Sequence, residues 1–320
     1  MSTSGTGPVL VVGSRGLLGE AVVREVARRG RPALRAQVRW GADARTDLAQ
    51  ALDQALEAAG ESPVQIAWCA GVGVTATPQE VLDAEYQTLC AFAELLTGLP
   101  EATRHRMTLF FASSAGGVYA GSPSQPPFDE RSPVGPLAPY GRAKLKAEER
   151  LVELTTSGIR VVVGRIANLY GPGQDLTKQQ GLISQLALAQ QTAQPLGVYV
   201  SMDTLRDYIY VDDCASIVVD MMDRAHQLDP GSPAVTKVLA SQRSVSIAAL
   251  IGEMRRIHRR RPRVVVAPSA RALQQARDLR LRSVVWPDLD HRPLTPLAVG
   301  MVSTGEDISR KLRVRGRSRS

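Results

Sequence analysis

Little in this 320-residue sequence is aromatic, sulfur-bearing or imidazole. Three cysteines, Cys69, Cys90 and Cys214, stand far apart, which excludes a disulfide framework and a zinc site and suits a reducing, cytoplasmic setting. The histidines, His105, His226, His258 and His291, have no metal-like spacing to partners. Long apolar runs are missing too. The first, VLVV at 9–12, is too short for a membrane span or a signal sequence, and MSTSGTGP before it has no basic n-region. A soluble protein with no membrane partner is expected. Aromatic residues make up 4%, and none interleave the arginines of RRIHRRRPR (255–263) or KLRVRGRSRS (311–320), where much of the net charge of +8 sits. A single-strand nucleic-acid surface needs such rings. The two runs therefore read as a solvated helix face and a disordered basic tail, and no nucleic-acid partner is expected.

What is present is an alternation. PVLVVG (8–13) is a short buried-strand pattern ending in glycine, and 17–29 follows with apolar residues at helical spacing, Leu18, Val22, Val23 and Val26. A candidate second strand at 32–39 precedes a helix at 47–59, a strand at 64–71 and a helix at 81–96. A strand at 107–114, a helix at 140–155 and a strand from 159 complete the series. Such alternation with short connections predicts an α/β fold, a Rossmann-type doubly wound parallel sheet. Beyond 172 the pattern loosens into an amphipathic stretch at 174–194, a helix at 215–226 and an Arg- and Pro-rich region. The expected organisation is a dinucleotide-binding domain over 1–172, its sheet completed by later crossings. A smaller C-terminal substrate lobe follows over 173–310, and the basic tail over 311–320.

Three motifs carry chemistry. GSRGLLG (13–19) lies between the first strand and the first helix. Gly13 suits a tight turn, Gly16 a close approach of backbone to a pyrophosphate, and Gly19 close packing of helix on strand, with the helix amides facing the phosphates. In APYGRAKLKAEE (138–149), Tyr140 and Lys144 are four apart and share a helix face. An ammonium about 4 Å from a phenol stabilises the phenolate by on the order of 4 kcal/mol at an effective dielectric near 20, enough for acid–base work near neutrality. Glu148, a further turn on, is expected to pair with Lys144. FFASSAGGVYAG (110–121) ends a strand in Ser113–Ser114, where a hydroxyl suits a substrate carbonyl oxygen.

Glycine turn, serine pair and Tyr-x-x-x-Lys, in that order, resemble the extended short-chain dehydrogenase/reductase (NAD-dependent epimerase/dehydratase) family. RIANLYGPGQ (165–174) and LRDYIYVDD (205–213) resemble its nucleotide-sugar branch. The resemblance implies Ser114 (with Ser113 as fallback), Tyr140 and Lys144 as the catalytic set. It implies Asn168 and Arg206 on the substrate diphosphate, Asp47 on the adenine, and a homodimer through the helices at 81–96 and 140–155.

One absence chooses among cofactors. NAD-binding relatives end the second strand in a carboxylate for the ribose 2′-hydroxyl. Here LRAQVRWGAD (34–43) offers Gln37 and Arg39 instead, and Arg15 lies in the glycine turn. This pattern is similar to NADPH-dependent members and implies NADPH, with Arg15 and Arg39 on the 2′-phosphate. The acid pair that dehydratases carry after the catalytic hydroxyl is replaced by Ala115 and Gly116, and no histidine lies between His105 and His226. The chain thus resembles the 4-ketoreductases of nucleoside-diphosphate 4-keto-6-deoxyhexoses, enzymes of deoxysugar and antibiotic biosynthesis with dTDP-linked substrates. An NAD-dependent nucleotide-sugar 4-epimerase is the alternative, and a non-catalytic NADP sensor a minor one.

Overall fold

The four residues of VLVV alternate across a sheet. Val9 and Val11 point to one face, Leu10 and Val12 to the other, and all four are buried. A strand buried on both faces needs helices on both, and the computed structural model supplies them; it describes residues 7–71, 73, 77–178, 181–259, 262–266 and 276–317.

From β1 (Val9–Val12) the chain runs through α1 (Leu17–Arg28), β2 (Ala33–Arg35), α2 (Ala44–Ala59), β3 (Val64–Trp68), α3 (Gln79–Thr97), the single turn α4 (Glu101–Arg104) and β4 (Met107–Ser114). It continues through α5 (Ala115–Tyr119), α6 (Pro139–Val152), β5 (Arg160–Ile166) and β6 (Asn168–Tyr170). Next come α7 (Leu182–Thr192), β7 (Leu196–Val198), β8 (Leu205–Arg206), β9 (Tyr208–Tyr210), α8 (Val211–His226) and β10 (Val235–Leu239). Last are β11 (Val245–Ser246), α9 (Ile247–His258), β12 (Val264–Val266), β13 (Asp278–Leu279) and α10 (Leu297–Arg317).

The expected doubly wound sheet is present. Its order is β10-β5-β4-β3-β1-β2, with every neighbouring pair parallel. Helices α2, α3 and α6 cover one face, where Leu48, Phe92 and Leu151 pack on Leu10, Ile66 and Phe111. Helices α1 and α8 cover the other, where Val22, Val26, Val218 and Met222 pack on Val9, Val11 and Val162. Each such fully buried side chain contributes roughly 1.5–3 kcal/mol. Trp68 packs on Phe92 with ring centroids 5.0 Å apart, as a core residue. The order reverses between β1 and β3, which opens a crevice at the carboxyl ends of the strands. A third apolar cluster, including Ile183, Leu186, Leu250, Met254 and Met301, joins α7, α9 and α10 beside that crevice.

Four local readings change. Strand β2 is three residues long, not eight: pairing with β1 ends at Arg35, opposite Val11, and the chain then turns out along the crevice rim. Helix α8 starts at Val211, ahead of the expected 215, with Asp212 and Asp213 in the first turn where the helix dipole favours acids. The expected basic tail begins inside helix α10, which includes residues 311–317. Helix α10 carries it to Arg317 because Met301, Ile308 and Leu312 continue an apolar stripe onto the lobe, and Lys311 pairs with Asp307 at 2.9 Å. Residues 318–320 lie outside the described residues, as do 260–261 of the other arginine run. His258, expected in solvent, is partly buried, which lowers its imidazole.

Candidate active site

The chain leaves β1 into a turn at Gly13, whose φ of 82° favours glycine and where a Cβ would lie 2.5 Å from the Ala70 nitrogen. A Cβ on Gly19 would lie 2.2 Å from the Gly13 carbonyl oxygen, so only glycine lets α1 start this close to the strand end. Gly16 stands at the N-cap with no side-chain capping bond. The first amides of α1 thus face the crevice with the positive end of the helix dipole, a fit for a dinucleotide pyrophosphate.

At the far rim, the Arg15 guanidinium donates to Gln37 Oε1 at 2.9 Å. Arg39 is engaged otherwise than expected. Its backbone amide donates to Asp47 Oδ2 at 2.8 Å, its Nη2 to Asp47 Oδ1 at 2.8 Å, and Nη1 lies 3.2 Å from Asp43. Asp47, expected on the adenine, braces Arg39 here, and the hydrogen bonds from Arg39 hold its carboxyl below the ordinary range. Trp40, 54% exposed, lines the same rim. Sequence reading passed over it, although a tryptophan beside a cationic rim was a visible signal for stacking.

Strand β4 ends in the serine pair, and alternation sends the two hydroxyls to different places. Ser113 donates to the buried Glu148 carboxylate. Ser114 faces the crevice and caps α5, accepting from the Gly117 amide at 3.1 Å. A Cβ on Gly117 would lie 3.3 Å from both Ser114 Oγ and Tyr140 Cε1, so the missing side chain leaves those two groups adjacent. Pro139 opens α6, which suits its fixed φ, and sets Tyr140 in the first turn. Lys144, one turn on, is buried, with Nζ 5.9 Å from the Tyr140 ring centroid and 5.1 Å from that of Phe111.

Glu148 does not pair with Lys144. Helix α6 packs on β5, which turns Glu148 toward Arg165: their ion pair is 2.7 Å long, with the side chains 5% and 10% exposed. Arg165 also donates to the Tyr119 hydroxyl at 2.8 Å. The partner of Lys144 is Glu85 of α3, at 3.6 Å. Nothing in the sequence marks Glu85, one acid among several on an amphipathic helix.

Asn168 and Arg206 come to the opposite wall through the β6–β9 pairing and β8. The Asn168 side-chain amide donates to the Asp207 carbonyl at 2.8 Å. Arg206 is buried, which lowers its guanidinium, and its Nη1 donates to the Leu205 carbonyl. Glycine turn, rim, serine, tyrosine, lysine and this wall line one crevice of about 1100 Å³, large enough for a dinucleotide and a second ligand together. Among the described residues no cluster of His, Cys, Asp or Glu is arranged to hold a metal.

Comparison with known proteins agrees with this fold. The NAD dependent epimerase/dehydratase family matches residues 9–234. A dTDP-4-dehydro-6-deoxyglucose reductase of Escherichia coli is 26% identical over 227 residues, 64% of this chain and 69% of the relative. A UDP-glucose 4-epimerase of Mycolicibacterium smegmatis is 34% identical over 119 residues, so this chain matches 35% of that relative's length. Among solved structures, the UDP-glucose 4-epimerase of Thermotoga maritima with UDP-glucose superposes with a TM-score of 0.79 at 19% identity, covering 95% of this chain and 99% of that one. The chain belongs to the NAD dependent epimerase/dehydratase family, the extended short-chain dehydrogenases/reductases whose motifs its sequence resembles.

Proposed function

We propose that the protein reduces the 4-keto group of a nucleoside-diphosphate 4-keto-6-deoxyhexose with NADPH. One observation carries the choice of cofactor: the segment just after β2 presents the neutral Gln37 amide against Arg15 at 2.9 Å where an NAD site needs an acid. A 2′-phosphate there meets no carboxylate at position 37, with the Arg15 guanidinium beside it and Arg39, already paired with Asp47 and Asp43, on the same rim. When bound, the nicotinamide supplies the hydride. Tyr140 donates its proton to the sugar oxygen, Ser114 orients that oxygen by hydrogen bonding, and the Lys144 ammonium supports the phenolate and the nicotinamide ribose. Asn168 and Arg206 hold the diphosphate. Ala115 and Gly116, which begin α5, place no acid beside the hydroxyl for an elimination. The reading extends to a dTDP-linked sugar, a cytoplasmic setting and a homodimer through α3 and α6. No helix among the described residues is long and apolar enough to cross a membrane.

The Arg39–Asp47 pairing favours a second reading, a 4-epimerase with resident NAD, because it uses up one of the two cations. Titration of the purified protein with NADPH and NADH separates them. An initially empty site that prefers NADPH at least tenfold, with the preference lost in Arg15→Ala and Arg39→Asp, supports the reductase. NAD retained through purification and indifference to both substitutions would move the epimerase to first place.

A further inference from the structure

Lys144 has a counter-ion that the expected chemistry does not require. Glu85 reaches across from α3, and its Oε1 lies 3.6 Å from Lys144 Nζ. Gly71 and Gly73, after β3, both border this contact. A Cβ on Gly71 would lie 3.0 Å from Glu85 Oε1 and 3.2 Å from Lys144 Nζ, so glycine leaves the space in which the two charges meet. The Gly73 amide donates to Glu85 Oε2 at 3.2 Å, which fixes the other oxygen. On its far side Lys144 Nζ lies 3.4 Å from the Ala112 carbonyl oxygen. The ammonium is thus held between an acid and a carbonyl, above the Phe111 ring and 5.9 Å from the Tyr140 ring centroid.

An ammonium stabilises a neighbouring phenolate, and a carboxylate on that ammonium cancels much of the effect at the phenol. We propose that Glu85 is a positioning residue that holds and partly neutralises Lys144, keeping Tyr140 in its proton-donating form. The inference rests on the reductase reading for its purpose, because a reductase uses Tyr140 as an acid, whereas hydride removal from an alcohol needs it as a base.

Other charged or titratable groups near the pair do not duplicate this role. Cys69, on the loop after β3, is partly buried, and that desolvation pushes its thiol up to about 12 and leaves it neutral. Glu148 on α6 is consumed by Arg165 and Ser113. Tyr86 of α3 lies under the Lys146 ammonium, 4.0 Å from ring centroid to Nζ. Ser113 and Ser114 of β4 do not titrate in the working range.

The test needs no substrate. Tyrosinate formation is followed by ultraviolet difference titration, with the Tyr140→Phe protein subtracted to isolate one of the seven tyrosines. Removing the charge in Glu85→Gln should let Tyr140 ionise about one pH unit lower, the low end of what a nearby charge does, because Glu85 is partly solvent-screened. Leu82→Val, which alters packing beside Tyr140 without charge, should leave that midpoint in place. In turnover, the alkaline loss of reduction should begin about one unit lower in Glu85→Gln, while KM for the sugar changes less than twofold, on the order of what loss of a single surface-screened charge does. An unchanged or raised midpoint in Glu85→Gln, or an equal shift in Leu82→Val, overturns the proposal. If no 4-keto sugar is turned over, the reductase reading fails while the titration still decides the role of Glu85.

Discussion

The buried pair of Glu148 and Arg165 offers the sharpest test of how the catalytic helix is held. Arg165→Met removes the guanidinium and fills most of its volume. Left behind is the Glu148 carboxylate, 5% exposed, which loses two Nε contacts at 3.2 Å and an Nη2 contact at 2.7 Å and keeps only the Ser113 hydroxyl. Stranding one partner of a buried pair costs about 3–5 kcal/mol. Tyr119 also loses a donor, though its hydroxyl can still donate, so the low end of that range is expected. Denaturant unfolding at neutral pH should therefore read a loss of about 3 kcal/mol, and melting should fall by roughly 6 °C at about 2 °C per kcal/mol for a chain this long. The double variant Arg165→Met with Glu148→Leu should recover most of the loss, because a well-packed apolar pair replaces a buried ion pair at little cost. A single-variant loss below about 1 kcal/mol, or a double variant no more stable than the single, would refute the claim that this pair is a desolvated clamp between α6 and the sheet.

Three further outcomes follow from the structure. Ser114→Ala should lower kcat by about 10²–10³, with a stability loss of only about 1 kcal/mol from the missing cap of α5. Ser113→Ala should do the reverse, costing about 1–3 kcal/mol through the under-satisfied Glu148, and kinetics beside unfolding curves separate the two. Glu25, held at about 2 by its hydrogen bond with Arg28 and then Arg29, is depressed from the ordinary 4.5. Its stabilising effect is whole above pH 4.5 and lost as pH falls toward 2, so Glu25→Gln should flatten the acid limb of the stability profile between those values.

What the sequence determined by itself lies within single elements. The unbroken apolar run of VLVV, the glycines that permit the turn into α1, and the four-residue spacing of Tyr140 and Lys144 are local patterns. Backbone sterics and helix geometry convert these directly into structure. The serine pair shows the limit. Alternation separates Ser113 from Ser114, but only the packing of α6 on β5 decides that Ser113 turns toward Glu148 and leaves Ser114 at the crevice. Every partner assignment between distant segments belongs to the tertiary structure. Glu148 takes Arg165, Lys144 takes Glu85, and Asp47 braces Arg39. Such pairings depend on which helix covers which face and on strand register, and no local periodicity encodes either. The end of α10 behaves likewise. Its arginines look like a solvated tail, yet an apolar stripe commits the segment to helix because the lobe gives that stripe a surface to bury against.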